Sequence, residues 1–475
     1  MENNFNKSKE TGTFADSVFL GGRIFTMDKN LSEVEAVACR DGKIIAAGDE
    51  SLVRELCSAD TEIHDLEGKF MLPGFVDAHS TFILDLFSEK YLNIDPVWDL
   101  DTILREVKDY SIENYDQDVL FCYGFSTDVL EDYPDPEDLF EMLDEISTEQ
   151  TIVLLAGDGL TLWMNTTAAH ILDTTMADNN LEFLSPIQAL MMLLDFDDEA
   201  MDELFAEKAE EWTERGFTSL LNLYSPEYFD AMTTKLISKR VGDSEPMLQR
   251  VMMSSYVNAP IDPFGVSQIL VAKKTHADLF SGMLYADFLK LQLLDSDEID
   301  TVPAEIAEEM CKSAAKLGFN VHIDAADKRS TKAAYRIFDD IRNAGYDEPT
   351  LVIATDHKVD KEFLSEISNA DKITVTRATA FCRESAVKYS ESIQEAVKLL
   401  TSNAAKIVGK GDMLGSIEPG KFADFAIFSE NPFELTLKEF SRLEADATVI
   451  GGEVVYDVEL DNMKILYDSI IGSPM

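Results

Sequence analysis

The chain has 475 residues, 45% of them hydrophobic, which suits one large domain with a smaller one, or two to three domains. Its 90 acidic and 40 basic residues give a net charge of −50, which opposes binding to nucleic-acid phosphates and to anionic membrane surfaces. The 5 cysteines include no C-x-x-C pair, which excludes a zinc knuckle and favours a reducing cytoplasm over a disulfide framework.

The N-terminal region divides into a polar tail and a strand-rich segment. Residues 1–14 have no apolar stretch of the kind that a signal peptide needs, and we predict that they form a disordered tail. Residues 15–74 contain short strand-like runs such as ADSVFLGG and AVACRDGKIIAAG. The Gly and Asp-Gly steps between these runs predict hairpins.

The middle of the chain, residues 75–415, alternates apolar runs with amphipathic segments. VLFCYGF, TIVLLAG, FTSLLNLY and ADFLKLQLL are typical of buried strands, while DEAMDELFAEKAEEWTERG and PAEIAEEMCKSAAKLG are typical of helices. Repeated β-α units of this size predict an α/β fold with a parallel sheet, either open or closed as a barrel. No apolar run approaches the roughly 18 residues of a membrane span.

The last part, residues 416–475, returns to strands in GSIEPGKFADFAIF and DATVIGGEVVYD. Strand-rich ends therefore flank an α/β middle. We expect residues 15–74 and 416–475 to pair into one small β domain into which residues 75–415 are inserted.

Several of these segments resemble the amidohydrolase superfamily. VFLGGRIFTMD, AVACRDGKIIAAGD and LEGKFMLPGFVDAH resemble its opening, and LTSNAAKIVGKGDMLGSIEPGKFADFAIF resembles its closing signature. GDGLTLWMNTTAAHIL and NVHIDAADKRSTKAAYRIFDDI resemble its YtcJ-like branch, also called amidohydrolase family 3. The resemblance implies a (β/α)8-type, TIM-like barrel and a β-sandwich formed by both chain ends.

The resemblance also implies a metal site at the C-terminal ends of the barrel strands. In this family a divalent metal is held by a His-x-His pair, a lysine that is usually carboxylated, and two later histidines. An aspartate on the last strand acts as the base. The metal activates water for attack on amide, urea or ring C–N bonds.

Only part of that residue set is present here. His79 matches the first histidine and Lys290 matches the lysine, but Thr81 stands where the second histidine belongs. Asp324 and Thr355 stand where the two later histidines belong. A threonine offers one neutral hydroxyl oxygen and is a poor zinc ligand, so the sequence predicts a degenerate metal site.

Other family positions are changed as well. Leu160 replaces a histidine that the branch often carries, and Glu384 is the only acidic candidate for the base between residues 372 and 390. We therefore expect no cofactor or, if any, a single divalent metal such as zinc.

The surviving residues have both a structural and a functional interpretation. His322 and Asp324 are two residues apart, so both face the same side of a regular strand. Such a pair is more often a satisfied core pair than a metal site, and Asp77 is expected to orient His79 or to cap a turn. The candidate metal ligands are His79, His322 and His357, and the candidate catalytic residues are Lys290, Asp324 and Asp356.

Two functions from different classes fit these observations. The sequence favours an amidohydrolase-like pseudoenzyme, a cytoplasmic, non-catalytic relative that binds a small molecule in its pocket or a protein on its surface; a homodimer is compatible with it. The alternative is a metal-dependent hydrolase of C–N bonds other than peptide bonds, with a reduced or mononuclear site. Metal content separates the two, and the sequence reveals a substrate under neither.

Two structural expectations follow from the changed residues. Without cations to balance a carbamate, Lys290 stays an amine and forms an ion pair with Asp324 in the former metal cavity. The barrel is irregular near residues 370–390, where KITVTRA is the only clear strand-like run.

Overall fold

A computed structural model of the chain describes residues 14–80, 90–94, 99–130, 133, 136–156, 161–178, 189, 193, 198–223, 249–257, 283–293, 304–325, 327–355, 373–376 and 383–459. The chain divides into two compact units: the first comprises residues 1–81, 206–223 and 238–475, and the second comprises residues 82–205 and 224–237. The first unit contains both parts of the predicted β domain. The predicted domain boundaries at residues 74 and 415 stay predictions, as does the disordered tail, of which only Phe14 is described.

The strands carry most of the apolar runs that the sequence shows. In chain order they are β1 Ser17–Phe25, β2 Glu33–Arg40, β3 Lys43–Gly48, β4 Glu62–Asp65, β5 Phe70–Pro73, β6 Phe75–Ser80, β7 Leu92–Asn93, β8 Val119–Phe125, β9 Thr151–Ala156, β10 Leu162–Met164, β11 Phe217–Asn222, β12 Arg250–Val257, β13 Leu284–Leu293, β14 Asn320–Ala325, β15 Leu351–Ala354, β16 Ile373–Thr376, β17 Phe425–Phe428, β18 Ala447–Ile450 and β19 Glu453–Asp457.

The helices fall mainly between the strands of the middle region. They are Glu50–Arg54, Leu100–Glu113, Pro136–Asp144, Thr166–Asp178, Asp198–Glu214, Ala304–Lys316, Lys328–Asn343, Arg383–Lys388, Ile393–Leu400, Ser402–Ile407 and Leu437–Phe440, with short 3-10 turns at Thr127–Leu130 and Pro432–Glu434. None of the helices in the described part of the chain has the length and apolar character that a bilayer span requires.

Both chain ends contribute strands to one mixed sheet in the first unit. Its order is β19-β18-β17-β5-β1-β2-β3, and β4 pairs with β1. The antiparallel pairing of β17 with β5, in which Phe425 lies opposite Pro73, joins the C-terminal strands to the N-terminal ones. Phe19, Met71 and Phe425 pack in the same buried cluster on this sheet. The expected pairing of the two ends is therefore present, while a sandwich of two sheets stays a prediction.

The Asp-Gly step between β2 and β3 forms the predicted hairpin. Arg40 lies opposite Lys43, so the turn has two residues, Asp41 and Gly42. Both have positive φ, 49° and 72°, which is the conformation that the right-handed twist of a two-residue hairpin favours. Glycine and aspartate adopt it more readily than most residues, and this is why the sequence signal was reliable.

A seven-stranded parallel sheet forms the α/β part of the first unit. Its order is β16-β15-β14-β13-β12-β11-β6, with every neighbouring pair parallel. The helices Ala304–Lys316 and Lys328–Asn343 cover one face, and their apolar side chains share a buried cluster with Leu289, Val321 and Leu351. The sheet is a curled half-barrel. Among the described residues no pairing joins its edge strands β6 and β16, so the closed eight-stranded barrel stays a prediction.

The second unit has its own four-stranded sheet. Its order is β10-β9-β8-β7, in which β10 runs antiparallel to β9 and the other pairs are parallel. As predicted, the run VLFCYGF forms a strand, β8, and the run TIVLLAG contains another, β9. However, β6 pairs directly with β11, and neither β8 nor β9 lies in the seven-stranded sheet. The expectation that these runs belong to the same sheet as the later β-α units is therefore wrong. Apolar periodicity identifies a buried strand but does not identify its partner.

The region predicted to be irregular, residues 370–390, is described only in part. It contributes β16, an edge strand, and the helix Arg383–Lys388. Residues 377–382 lie outside the described part of the chain, and so does the side chain of the candidate base Glu384. The predicted irregularity therefore stays a prediction.

Candidate metal centre

The strand β14 places His322 and Asp324 on one face of the parallel sheet. Val321 and Ile323 alternate with them and lie in the helix-covered cluster, so His322 and Asp324 face the opposite side. On the neighbouring strand β13, Lys290 lies opposite His322 in the register. Its flanking residues also belong to the helix-covered cluster, so Lys290 points to the same side as His322.

The fourth residue, His79, comes from β6, which is separated from β14 by three strands in the sheet order. Neighbouring strands are about 4.8 Å apart, so a flat sheet would separate β6 from β14 by about 19 Å. The ring centroids of His79 and His322 are nevertheless 5.5 Å apart. The curl of the sheet therefore brings the two strands together across its inner face, and this curl builds the site.

His79, His322 and Asp324 form a compact group of potential ligands. Each offers one ligand atom, and these atoms all lie within 4.8 Å of one another. His322 is fully buried and His79 is 6% exposed. Four buried polar atoms of this group have no hydrogen-bond partner within the described residues: His79 Nδ1, both ring nitrogens of His322, and Asp324 Oδ1.

The predicted ion pair between Lys290 and Asp324 is confirmed. Lys290 Nζ lies 2.8 Å from Asp324 Oδ2, and Lys290 is buried. The other carboxylate oxygen, Oδ1, lies 3.3 Å from His322 Nδ1, but the two atoms are not aligned as a hydrogen bond. One carboxylate therefore faces both a lysine and a histidine.

The surroundings of the site set the charge of each group. Burial lowers the pKa of His79 to about 3, with His322 and the Lys290 charge acting in the same direction against the opposing effect of Asp324. Burial also lowers the pKa of His322, although Asp324 opposes the shift. Burial alone would raise the pKa of Asp324, but His322 and Lys290 together hold this pKa well below its usual range. At neutral pH the site therefore contains two neutral imidazoles and one carboxylate.

These residues fit a single divalent cation. Two neutral imidazoles and a carboxylate are the donor types that zinc takes in hydrolytic sites, where a further position stays open. Buried nitrogen and oxygen atoms without partners are costly unless a ligand satisfies them. His79, His322 and Asp324 offer these donor types, and their unpartnered buried atoms would be satisfied by a bound cation.

Asp77, on the same strand as His79, has a supporting role. It is buried, and its Oδ1 accepts a hydrogen bond of 2.9 Å from the backbone N–H of His79. This contact engages the backbone of His79 and not its ring, so the expectation that Asp77 orients His79 or caps a turn stays a prediction. Thr355, which replaces a family histidine, is buried at the end of β15, and its N–H donates to the backbone oxygen of Thr376.

Several residues named from the sequence lie outside the described part of the chain. Asp356 and His357, proposed as a displaced base and a ligand, are among them, and so are Thr81 and Leu160. Their roles stay predictions. The sequence analysis did not single out Ser219, which is fully buried on β11 with its hydroxyl unpartnered within the described residues. A lone serine within the apolar run FTSLLN carries no motif that could have identified it.

Comparison with known proteins agrees with this fold. The model of the amidohydrolase family matches residues 373–456. A metal-dependent hydrolase of uncharacterized function from Pyrococcus horikoshii OT3 has a similar fold, with a TM-score of 0.59 and 15% identity over 89% of this chain and 99% of that one. A second from Pyrococcus furiosus gives a TM-score of 0.58 and 16% identity over 88% of this chain and 99% of that one. The fold is one that metal-dependent hydrolases adopt.

Sequence relatives are similar over short segments. The exoenzymes regulatory protein AepA of Pectobacterium carotovorum is 28% identical over 24% of this chain and 25% of its own length. The N-substituted formamide deformylase of Arthrobacter pascens is 30% identical over 20% of this chain and 18% of its own length. The YtcJ amidohydrolase of Bacillus subtilis is 38% identical over 14% of each chain. The matches thus span a quarter or less of these relatives. Over these segments the chain is similar to the amidohydrolase family, including its YtcJ member.

Proposed function

We propose that the chain is a metal-dependent hydrolase that acts on C–N bonds other than peptide bonds and uses one divalent cation, such as zinc. The observation that carries the proposal is the group formed by His79, His322 and Asp324: one potential ligand atom from each lies within 4.8 Å of the others, and four buried nitrogen and oxygen atoms of the group have no hydrogen-bond partner in the described structure. A cation bound there would polarise a substrate carbonyl and make water more acidic.

The residues of the site prepare it for this chemistry. His79 and His322 are neutral at neutral pH because burial lowers both pKa values, so each offers a nitrogen lone pair. Asp324 stays ionised and supplies the negative charge, and Asp77 fixes the backbone of His79. Of the residues expected from the sequence to be catalytic, Asp324 is proposed as a metal ligand, Lys290 as its ion-pair partner, and the catalytic role of Asp356 remains part of the proposal.

The names of the relatives support the class of substrate. One relative is a formamide deformylase, and another, an imidazolonepropionase of Solibacter usitatus, is 40% identical over 13% of this chain and 15% of its own length. Formamides and imidazolones both contain a carbonyl carbon bonded to nitrogen. We therefore propose small amides or cyclic amides as the substrate class.

Metal content and two histidine variants test the proposal. Purified, untagged protein grown with metal supplementation is expected to contain about one equivalent of a divalent metal per chain by elemental analysis. His79→Ala should lose that metal and any hydrolysis of a panel of N-formyl amines and cyclic amides. His170→Ala, which removes an exposed histidine from the helix Thr166–Asp178, should keep both. Metal-free wild-type protein, or equal metal in both variants, would contradict the proposal.

A second candidate is the non-catalytic relative that the sequence favoured. Its specific support is the ion pair between Lys290 and Asp324, because an ammonium group beside the ligand cluster opposes a cation. This candidate predicts well under one equivalent of Zn, Mn, Fe or Ni per chain. The same elemental analysis therefore separates the two.

Wider properties of the chain also remain proposals. The net charge of −50 supports a small-molecule ligand over nucleic acid or a membrane surface. A cytoplasmic location, a homodimer, a closed barrel and a β-sandwich at the chain ends are proposed on the sequence arguments given above.

A further inference from the structure

We propose that Lys290 takes the place of a second cation in the metal centre, so that the site binds one divalent cation and Lys290 remains an unmodified amine. The proposal rests on the function proposed above, because it concerns how many cations that site accepts. It assigns Lys290 as a positioning residue that acts through Asp324.

The first step concerns the two oxygens of the Asp324 carboxylate, which have different surroundings. Its Oδ2 is 2.8 Å from Lys290 Nζ, while its Oδ1 has no hydrogen-bond partner within the described residues. A carboxylate that bridges two cations needs one oxygen for each. Here one oxygen is already engaged by the lysine, so only Oδ1 remains for a metal ion.

The second step is charge. Lys290 is buried, and the group of potential ligands beside it contains one carboxylate, that of Asp324. The Asp77 carboxylate accepts a hydrogen bond from the backbone N–H of His79, so one of its oxygens is engaged by its own strand. A second divalent ion beside Lys290 would meet a positive charge at short range in a dry environment, where such repulsion is strongest.

The third step is orientation. The contact with Lys290 fixes the carboxylate so that Oδ1 points towards His322, 3.3 Å from its Nδ1. The three ligand atoms of His79, His322 and Asp324 are thereby held in one group before any ion arrives. The same lysine that aligns the carboxylate also weakens the attraction of the site for a cation, because its charge has the same sign.

These steps predict opposite results for two substitutions at one position. Lys290→Met removes the positive charge, and zinc affinity, measured by competition with a chelating dye, should rise by at least about tenfold. Lys290→Arg keeps the charge and should stay within about threefold of the wild type. A purely structural role for Lys290 would instead make Lys290→Met bind zinc more weakly.

The matched control is Lys410, a second buried lysine whose Nζ lies 2.6 Å from Asp287 Oδ2. Lys410→Met should leave zinc affinity unchanged, measured on protein whose circular dichroism is that of the wild type. Titration of wild-type protein with zinc in bicarbonate buffer should saturate at one equivalent, and its intact mass should show no addition of CO2.

Each result decides a different statement. Saturation at two equivalents, a CO2 adduct on Lys290, or weaker binding by Lys290→Met overturns the present inference while leaving the proposed function in place. Zinc binding by Lys290→Met but not by the wild type would show that Lys290 excludes every cation, which overturns both the inference and the proposed function. Absence of zinc binding in both proteins overturns both.

Discussion

At the scale of single residues, Asp324 balances the charge of the candidate site. Its Oδ2 lies 2.8 Å from Lys290 Nζ, and its Oδ1 lies 3.3 Å from His322 Nδ1. Removal of the carboxylate would leave a buried ammonium without this partner, which costs more than the intact pair contributes. Replacement of both charges by apolar side chains avoids that cost.

The stability of three variants tests this asymmetry. Asp324→Ala should lower the free energy of unfolding by about 3 kcal/mol, and the double variant Lys290→Met with Asp324→Leu should recover most of the loss. Urea denaturation of the metal-free proteins measures the loss in the single variant and the recovery in the double variant. Glu308→Ala, which removes the partner of Lys312 in a more exposed pair, should cost less than about 1 kcal/mol. Equal losses in the single and double variants would contradict the argument.

The buried histidines should make stability depend on pH. The pKa of His79 is about 3 in the folded protein and about 6.5 when the chain is unfolded, so the unfolded state binds more protons between these values. Stability is therefore complete above pH 6.5 and falls as the pH drops, by up to about 1.4 kcal/mol per pH unit for this residue. His322, whose pKa is also lowered, acts in the same direction.

Comparison with a variant that lacks His79 isolates the effect of this residue. Acidification also neutralises part of the large negative charge, which acts in the opposite direction, so wild type and His79→Asn should be compared at each pH. Urea denaturation with a chelator at about pH 7.5, 6 and 5 should show a difference between them that grows towards acid. A constant difference would mean that His79 titrates normally in the folded protein.

Part of this site could be predicted from the sequence and part could not. The two-residue spacing of His322 and Asp324 placed both on one face, and the need to neutralise Lys290 predicted its ion pair. The approach of His79 to His322 depends on the curl of a sheet whose strands come from distant parts of the chain. Local patterns contain no information on that curvature.

At the scale of elements, a buried ion pair joins the two large sheets of the first unit. Arg250, the first residue of β12, donates from Nε to Asp424 Oδ2 at 2.7 Å and from its second nitrogen to Oδ1 at 3.0 Å. Asp424, just before β17, also accepts the N–H of Gly451 at 2.8 Å. The guanidinium lies 3.7 Å from the centroid of the Phe422 ring. Planar, two-pronged contacts of this kind suit arginine and not lysine.

Substitutions in this pair should destabilise the whole first unit. Asp424→Ala should cost about 3–5 kcal/mol, because it removes the carboxylate that pairs with a buried guanidinium and accepts the part-buried N–H of Gly451. Arg250→Lys should cost at least about 1 kcal/mol even though the charge is kept. Thermal and urea unfolding measure both. Arg23→Lys, in the exposed two-pronged pair with Glu33, is the matched control and should cost less than about 1 kcal/mol. If Arg250→Lys lowers the free energy of unfolding no more than Arg23→Lys does, the two-pronged contact between Arg250 and Asp424 has no structural role of its own.

The arrangement of elements shows where pattern reading stops. The hairpin at Asp41-Gly42 and the β-α alternation were predictable because turn chemistry and apolar periodicity are local. The separate sheet formed by β7 to β10 was not, because strand pairing depends on side-chain fit between segments far apart in sequence. The Arg250–Asp424 pair, 174 positions apart, was invisible for the same reason.

At the scale of the whole molecule, the dominant property is the net charge of −50. Some of the 40 basic residues do not face solvent: Arg250, Lys290 and Lys410 are buried and paired with carboxylates. The surface is therefore strongly acidic, and its carboxylates repel one another in the folded state more than in the expanded unfolded chain.

This repulsion predicts that salt stabilises the protein. The screening length falls from roughly 20 Å in about 0.02 M salt to roughly 4 Å in about 0.5 M salt, so repulsion across the surface should be largely removed over this range. We expect the melting temperature to rise by at least about 5 °C between these concentrations of sodium chloride, which corresponds to about 2 kcal/mol for a large domain. Chloride is the appropriate anion, because sulfate would also strengthen apolar burial. Sucrose at equal osmolality is the uncharged control, and the rise in chloride should exceed it. A melting temperature that stays constant or falls as the chloride concentration rises would show that repulsion between surface carboxylates does not destabilise the folded protein.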